Sequence, residues 1–295
     1  MGHGRAPTIT IKTIRRMAQS GEKFACLTCY DATTARWLER AGVHVLLVGD
    51  TASEVILGFD RTIDMPLDVL LALTAAVKRG APNTLVMGDM PFMSYQADEA
   101  SALRNAARFL TEGRADVVKL EVDATFAPLV AKMTRAGIPV VAHVGSKPQQ
   151  AMLSGGYGSK GRTAEEAASI VRDAIALEQA GAVMLLVEAV PDEVAAEILK
   201  HTSVPLIGIG AGTACHGQVL VLHDLIGLTD SPPRFASPVA SLGPSFENAG
   251  REWVRRVADG SIGGVRYTMK PGEVRRFRDL LESGLPLTDS PDRPA

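Results

Sequence analysis

The chain has little cysteine, few aromatic side chains, almost no net charge and no long apolar run, and each shortage excludes a class of protein. Its three cysteines, Cys26, Cys29 and Cys215, are too few for a disulfide framework and suit a reducing compartment. Cys26 and Cys29 form a C-x-x-C, but within the apolar stretch Phe24–Tyr30 residues three apart face opposite sides of a strand. A buried structural pair is therefore expected, not a redox or zinc motif. Aromatics make up 5% of the 295 residues while hydrophobic residues make up 46%, which favours a core of small and branched aliphatics, as in parallel sheets. A net charge of −2 offers no basic surface to nucleic acid. Apolar runs fall well short of the roughly 20 residues of a membrane span, and no signal-like stretch opens the chain. No membrane partner is expected, and the cytoplasm is the expected location.

What the chain does have is one repeated event: an apolar run stops at an acid. Val45–Val48 leads through Gly49 to Asp50, Leu85–Met87 through Gly88 to Asp89, Val117–Leu120 to Glu121, and Val183–Val187 to Glu188. Such runs read as buried parallel strands, and the residue that ends one lies at its carboxyl end. In one sheet, all four acids share a face.

The alternation predicts strands at 24–29, 43–48, 84–87, 116–120, 139–143, 182–187, 205–209 and 219–222, with helices between them. Asp31 is placed to cap a helix over 32–41, and Thr163 with Glu166 forms a capping-box pattern before a helix ending at Gly181. A helix over 10–20 precedes the first strand, and two long connections, 51–66 and 145–162, stand where functional loops belong. Eight strands in this order predict a (β/α)₈ TIM barrel; an open doubly wound sheet, with fewer strands, is the rival. We expect a single catalytic domain over 8–260 with an N-terminal helix, and a C-terminal helical extension with a loose tail over 261–295. Residues 1–7 and 284–295 are expected to be loose.

In a barrel the carboxyl ends of the strands carry the reaction. Asp50, Asp89, Glu121, His143 and Glu188 end strands there, with Lys119 on the same strand face as Glu121. Clustered carboxylates repel, and a hard divalent cation such as Mg²⁺ relieves the repulsion through oxygen ligands. Mg²⁺ also suits a reaction class: a 2-oxo acid chelates it, and the metal stabilises the enolate formed when the adjacent carbon loses a proton. Lys119 would add positive charge there, and Glu188, remote in sequence from the other acids, is the candidate base. Plainer readings exist for each residue: a helix cap for Asp50 or Asp89, an ion-pair partner of Glu121 for Lys119, a backbone-bonded core residue for His143. The loop Gly208–Gly212 suits either a phosphate or a tight turn.

Several strings carry a resemblance: LTCYD at 27–31, LLVGD at 46–50, LGFD at 57–60, VKLE at 118–121, GIPVVAHVG at 137–145, GGYGSKGRT at 155–163, VEAVP at 187–191 and GIGAGTACHGQVLVLHD at 208–224. In this order, over about 8–235, the chain resembles the ketopantoate hydroxymethyltransferases. The resemblance implies a barrel of the phosphoenolpyruvate-mutase and isocitrate-lyase superfamily, assembled as a homo-oligomer, commonly a decamer. It implies transfer of a hydroxymethyl group from 5,10-methylenetetrahydrofolate to 3-methyl-2-oxobutanoate, giving 2-dehydropantoate for pantothenate synthesis. It also implies Asp50 and Asp89 as direct Mg²⁺ ligands that also contact substrate, Glu121 beside the metal through water, Thr51 and Lys119 on the substrate, His143 in the site, and Glu188 as proton acceptor.

The chain departs from that pattern at Thr51, where serine is usual, at Ala124 and Thr125, usually glycines, and at Ser146 and Lys147, which replace a hydrophobic residue and threonine. Lys160 replaces glutamine, His216 replaces aspartate, and the usual C-terminal ending is missing. These loop changes leave two other functions open: an aldol-type addition or cleavage on a different 2-oxo acid, and a non-catalytic oligomer that binds an oxo acid.

Overall fold

The computed structural model describes residues 7–153 and 155–284. Eight strands, β1 (Phe24–Thr28), β2 (Val45–Val48), β3 (Leu85–Asp89), β4 (Val117–Glu121), β5 (Val140–Gly145), β6 (Met184–Glu188), β7 (Leu206–Ile209) and β8 (Gly217–Leu220), pair in sequence order, all parallel. β8 closes back on β1, so the sheet is a complete (β/α)₈ barrel.

Strand parity decides what the barrel holds. Val45, Leu47, Leu85, Met87, Val117, Val141, Met184, Leu186, Ile207 and Val219 form the interior cluster. Their neighbours Leu46, Val48, Val86, Val118, Leu120, Val140, Ala142, Leu185 and Val187 belong to the cluster shared with the surrounding helices. Continuing the inward parity toward the carboxyl ends gives Asp89, Lys119, Glu121, His143 and Glu188. The polar residues of the upper layer thus follow from the same two-residue period as the apolar layer beneath them.

The opposite end is closed by α1 (Ile11–Ser20), whose buried Ile14 and Met17 join Phe24, Cys26 and Val45 in the interior cluster. Thr10 caps this helix reciprocally with Thr13, and Gly21 ends it at φ 74°. The C-x-x-C behaves as expected: both cysteines are buried and free, Cys26 inside the barrel and Cys29 outside it.

Helices α2 (Ala32–Arg40), α4 (Leu67–Gly80), α5 (Glu99–Thr111), α6 (Ala127–Arg135), α7 (Ala164–Gln179) and α8 (Asp192–His201) alternate with the strands. Asp31 caps α2 as expected, accepting from the N–H groups of Thr33 and Thr34 at 2.7 and 2.9 Å. At α7 only half of the expected capping box forms. Thr163 accepts from the Glu166 N–H, but the Glu166 carboxylate reaches past the cap to the N–H groups of Gly161 and Arg162. The connection 51–66 carries a short helix, α3 (Ala52–Val55).

β8 begins two residues before the expected position, because Gly217 pairs with Phe24, whose ring occupies the space of a Gly217 side chain. Leu222 instead opens a short helix, α9 (Leu222–Leu225), its N–H held by the Thr28 hydroxyl. The chain divides into two compact units between Gly243 and Pro244. The second unit contains most of α10 (Leu242–Ala258) and all of α11 (Glu273–Glu282), and α10 carries ion pairs of Arg255 with Glu252 and Asp259. Apart from Pro7 and Gly284, the ends expected to be loose lie outside the described residues. Among the described residues no helix is long and apolar enough to cross a membrane.

Candidate active site

Register brings the strand-end residues side by side. Asp89 pairs with Lys119 across β3 and β4, Glu121 with His143 across β4 and β5, and Gly145 with Glu188 across β5 and β6. Asp50, two residues beyond β2, donates its backbone N–H to Asp89 Oδ2 at 3.1 Å. Lys119 Nζ donates to Asp89 Oδ1 at 2.6 Å and lies 3.9 Å from Glu121 Oε1. His143 stands between two acids, with Nδ1 3.8 Å from Glu121 and Nε2 3.5 Å from Glu188. Asp50, Thr51, Asp89, Lys119, Glu121 and Glu188 line one cavity of about 830 Å³. His143 lies behind it, fully buried, and among the described residues neither ring nitrogen has a hydrogen-bond partner of ordinary geometry.

Four carboxylates here face one ammonium, and the electrostatics follow from that imbalance. Burial, then the charges of Asp89 and Glu121, push Asp50 well above the usual carboxylate range, against Lys119 and a hydrogen bond from Gln149. Burial and the Asp89 charge likewise push Glu121 up to about 8, although Lys119 opposes them. Glu188, about a fifth exposed toward the cavity, is pushed up to about 7, first by burial and then by Asp50 and Asp89. Burial alone would lower Lys119, but Asp89, Glu121 and Asp50 outweigh it and hold the ammonium charged. Burial and the Lys119 and Lys147 charges keep His143 neutral, well below its ordinary value.

The donor set fits a hard divalent cation. Its atoms are carboxylate oxygens, each with lone pairs left after the hydrogen bonds above. Among the described residues no three His, Cys, Asp or Glu side chains converge as a closed metal set. Mg²⁺ is commonly held by one or two protein carboxylates with its other positions open. Asp50 and Asp89 are the adjacent pair, while Glu121 has one oxygen taken by the Gln149 N–H at 2.9 Å.

Gln149, which the sequence did not single out, ties this cluster together. Its side-chain amide donates to Asp50 Oδ2 and to the Met90 carbonyl, both at 3.0 Å. Its own oxygen accepts from Gln96 at 3.0 Å and lies 3.0 Å from the Tyr95 hydroxyl. The Tyr95 hydroxyl also accepts from the Glu121 N–H at 3.1 Å. Tyr30, 3% exposed, sets Thr51 in the same way, with its hydroxyl 2.7 Å from Thr51 Oγ1. These contacts span up to 99 residues, and only the long unassigned loop 145–162 hinted at them.

The unusual loop residues separate by position. Thr51 and Ser146 line the cavity. Lys147 instead pairs with Asp123 at 2.8 Å, and Asp123 also accepts from the Thr125 N–H and hydroxyl, so Thr125, Lys147 and Asp123 form one patch of their own. His216 accepts from the Leu206 N–H at 3.1 Å and serves the start of β7.

The sequence agrees with this geometry: residues 8–263 match the ketopantoate hydroxymethyltransferase family model. The chain belongs to that family. It is 42% identical over 275 residues to the 3-methyl-2-oxobutanoate hydroxymethyltransferase of Hyperthermus butylicus, covering 92% of this chain and 95% of that one. The Shouchella clausii enzyme of the same name is 44% identical over 249 residues, 84% of this chain and 89% of that one. The family is one of enzymes, hydroxymethyltransferases. Among solved structures, phosphonopyruvate hydrolase in complex with oxalate and Mg²⁺ superposes with a TM-score of 0.59 at 16% identity, covering 92% of this chain and 98% of that one. 2,3-Dimethylmalate lyase, a member of the phosphoenolpyruvate-mutase and isocitrate-lyase superfamily, does so with 0.56 at 19% identity over 94% and 96%. At these identities the likeness extends to the fold.

Proposed function

We propose that the chain transfers a hydroxymethyl group from 5,10-methylenetetrahydrofolate to 3-methyl-2-oxobutanoate, giving 2-dehydropantoate. The observation that carries the reading is Glu188, a partly buried acid facing the same cavity as a lysine and a pair of carboxylates, with its pKa pushed up to about 7. Asp50 and Asp89 would hold a divalent cation such as Mg²⁺, with Glu121 supporting it through water, and the cation would supply the charge that stabilises an enolate. Lys119 places a second positive charge at the same end of the cavity and orients the oxo acid. Glu188 takes the proton from C3 of the oxo acid, and the electron pair released attacks the methylene carbon. The new carbon–carbon bond replaces one of the two carbon–nitrogen bonds of the methylene bridge, and that nitrogen takes the proton held by Glu188. Water then replaces the second, leaving its hydroxyl on the carbon and its other proton on the nitrogen, and tetrahydrofolate leaves. His143 stays neutral and fills the space between the Glu121 and Glu188 carboxylates. Thr51, oriented by Tyr30, contacts the oxo acid at the edge of the site.

The test is exchange of the C3 hydrogen of 3-methyl-2-oxobutanoate into deuterated water with Mg²⁺, followed by turnover with methylenetetrahydrofolate, across a panel of oxo acids. Glu188→Gln should lower both rates by at least about 10²-fold while Mg²⁺ still binds. Turnover of another oxo acid but not of this one would assign the chain to the aldol-type alternative.

A further inference from the structure

The cavity is larger than an oxo acid requires. Eight non-hydrogen atoms fill at most about 240 Å³ at the roughly 30 Å³ of liquid volume a water molecule takes, and the cavity holds about 830 Å³. Besides Lys119, two basic side chains line it, Arg162 and Arg234. Both are exposed, and among the described residues neither guanidinium has an ion-pair or hydrogen-bond partner. The remaining lining acids, Glu54 and Asp224, do not pair with them.

Backbone contacts put the two arginines on one side of the mouth. The Lys160 N–H donates to the Ala189 carbonyl and the Ala189 N–H to the Ile209 carbonyl, both at 2.9 Å, so the segment before Arg162 lies along the ends of β6 and β7. Phe235, next to Arg234, packs its ring against Gly210 just beyond β7, where a Cβ would come within 2.8 Å. Glu166 fixes the backbone at Gly161 and Arg162. Two fixed stems therefore carry free guanidiniums beside the strand that ends in Glu188, with the half-exposed Phe235 as an apolar surface next to them.

We propose that Arg162 and Arg234 bind the glutamyl carboxylates of the folate donor, seating its aromatic part along Phe235 and its methylene carbon on the Glu188 side of the oxo acid. This rests on the folate reading above. Guanidinium is the side chain suited to a carboxylate, through paired N–H donors at fixed spacing, and an aromatic ring suits the flat carrier.

The test compares methylenetetrahydrofolate with its analogue lacking the glutamyl residue, methylenetetrahydropteroate, in the Mg²⁺-loaded protein. The wild-type protein should show a KM about tenfold higher for the trimmed donor, about 1.4 kcal/mol, and added salt should narrow the gap. Arg162→Gln/Arg234→Gln should bring the two KM values within about twofold of each other, while the Lys pair should keep part of the gap. A gap that survives in the Gln pair, or that is missing in the wild-type protein, overturns the proposal. If the wild-type protein turns over neither donor yet exchanges the oxo-acid hydrogen, the folate reading itself is wrong.

Discussion

In the proposed reaction Glu188 has to be ionised to accept a proton, and its surroundings hold it near neutral pH. Burial, Asp50 and Asp89 push it up to about 7, so the base form is lost as pH falls through that value. A bound cation offsets the two aspartates and moves the limb downward. We expect kcat/KM for C3 exchange to fall tenfold per pH unit on the acid side, with the break at or below pH 7 in the Mg²⁺-loaded enzyme; a flat profile down to pH 5 would remove Glu188 as the base. Gln149 should matter through the metal site. Gln149→Leu deletes the donor to Asp50 and to the Met90 carbonyl and leaves the Tyr95 and Gln96 donors without their acceptor, while the backbone N–H keeps its bond to Glu121. Titration with Mn²⁺ should show affinity lower by about 10- to 100-fold, the usual cost of losing a supporting partner. The acids were legible in the sequence because each ends an apolar run. Gln149, Tyr95 and Tyr30 were not, because their role comes from contacts across the barrel that no local pattern encodes.

At the scale of the element, the strand that delivers Glu188 ends in strain. Ala189 has φ 48°, in the left-handed region, although it is not glycine. It is held there by the Ile209 carbonyl on one side and the Lys160 N–H on the other, and the turn directs Glu188 toward the cavity. Ala189→Gly should relieve the strain and leave unfolding free energy unchanged or higher by up to about 1 kcal/mol, even though glycine is more flexible in the unfolded chain. Denaturant unfolding measures this, and a loss above about 1 kcal/mol would show that the conformation costs nothing in the native fold. Elements of this kind were legible where the two-residue and 3.6-residue periods were clean. β8 was placed two residues late because its first residue is a glycine chosen by the Phe24 ring, and the capping box at α7 formed only in part because Glu166 had loop N–H groups closer to hand.

For the whole molecule the buried acids cost stability when no cation is present. Asp50, Glu121 and Glu188 all titrate above their ordinary values. Between about pH 4.3, where an unfolded glutamate ionises, and about 8, where Glu121 does in the fold, the native state holds more protons than the unfolded chain. Stability therefore falls as pH rises through that window, and the slope fades above it. In chelator-treated protein the melting temperature should drop by several degrees from pH 5.5 to pH 8.5. Mg²⁺ at about a hundred times its Kd should restore about 2.7 kcal/mol, and calorimetry with and without the ion would detect it. The closed barrel was legible at this scale because eight runs of one kind alternate with helices.

The helix that seals the lower end of the barrel makes the interior a cul-de-sac. With Ile14 and Met17 filling the floor and an apolar layer above them, a molecule can enter or leave only by the upper rim. On the proposed reading, the small oxo acid, whose anchors would lie deepest, would arrive before the bulky carrier and depart after it, so the architecture would impose a queue on the two substrates.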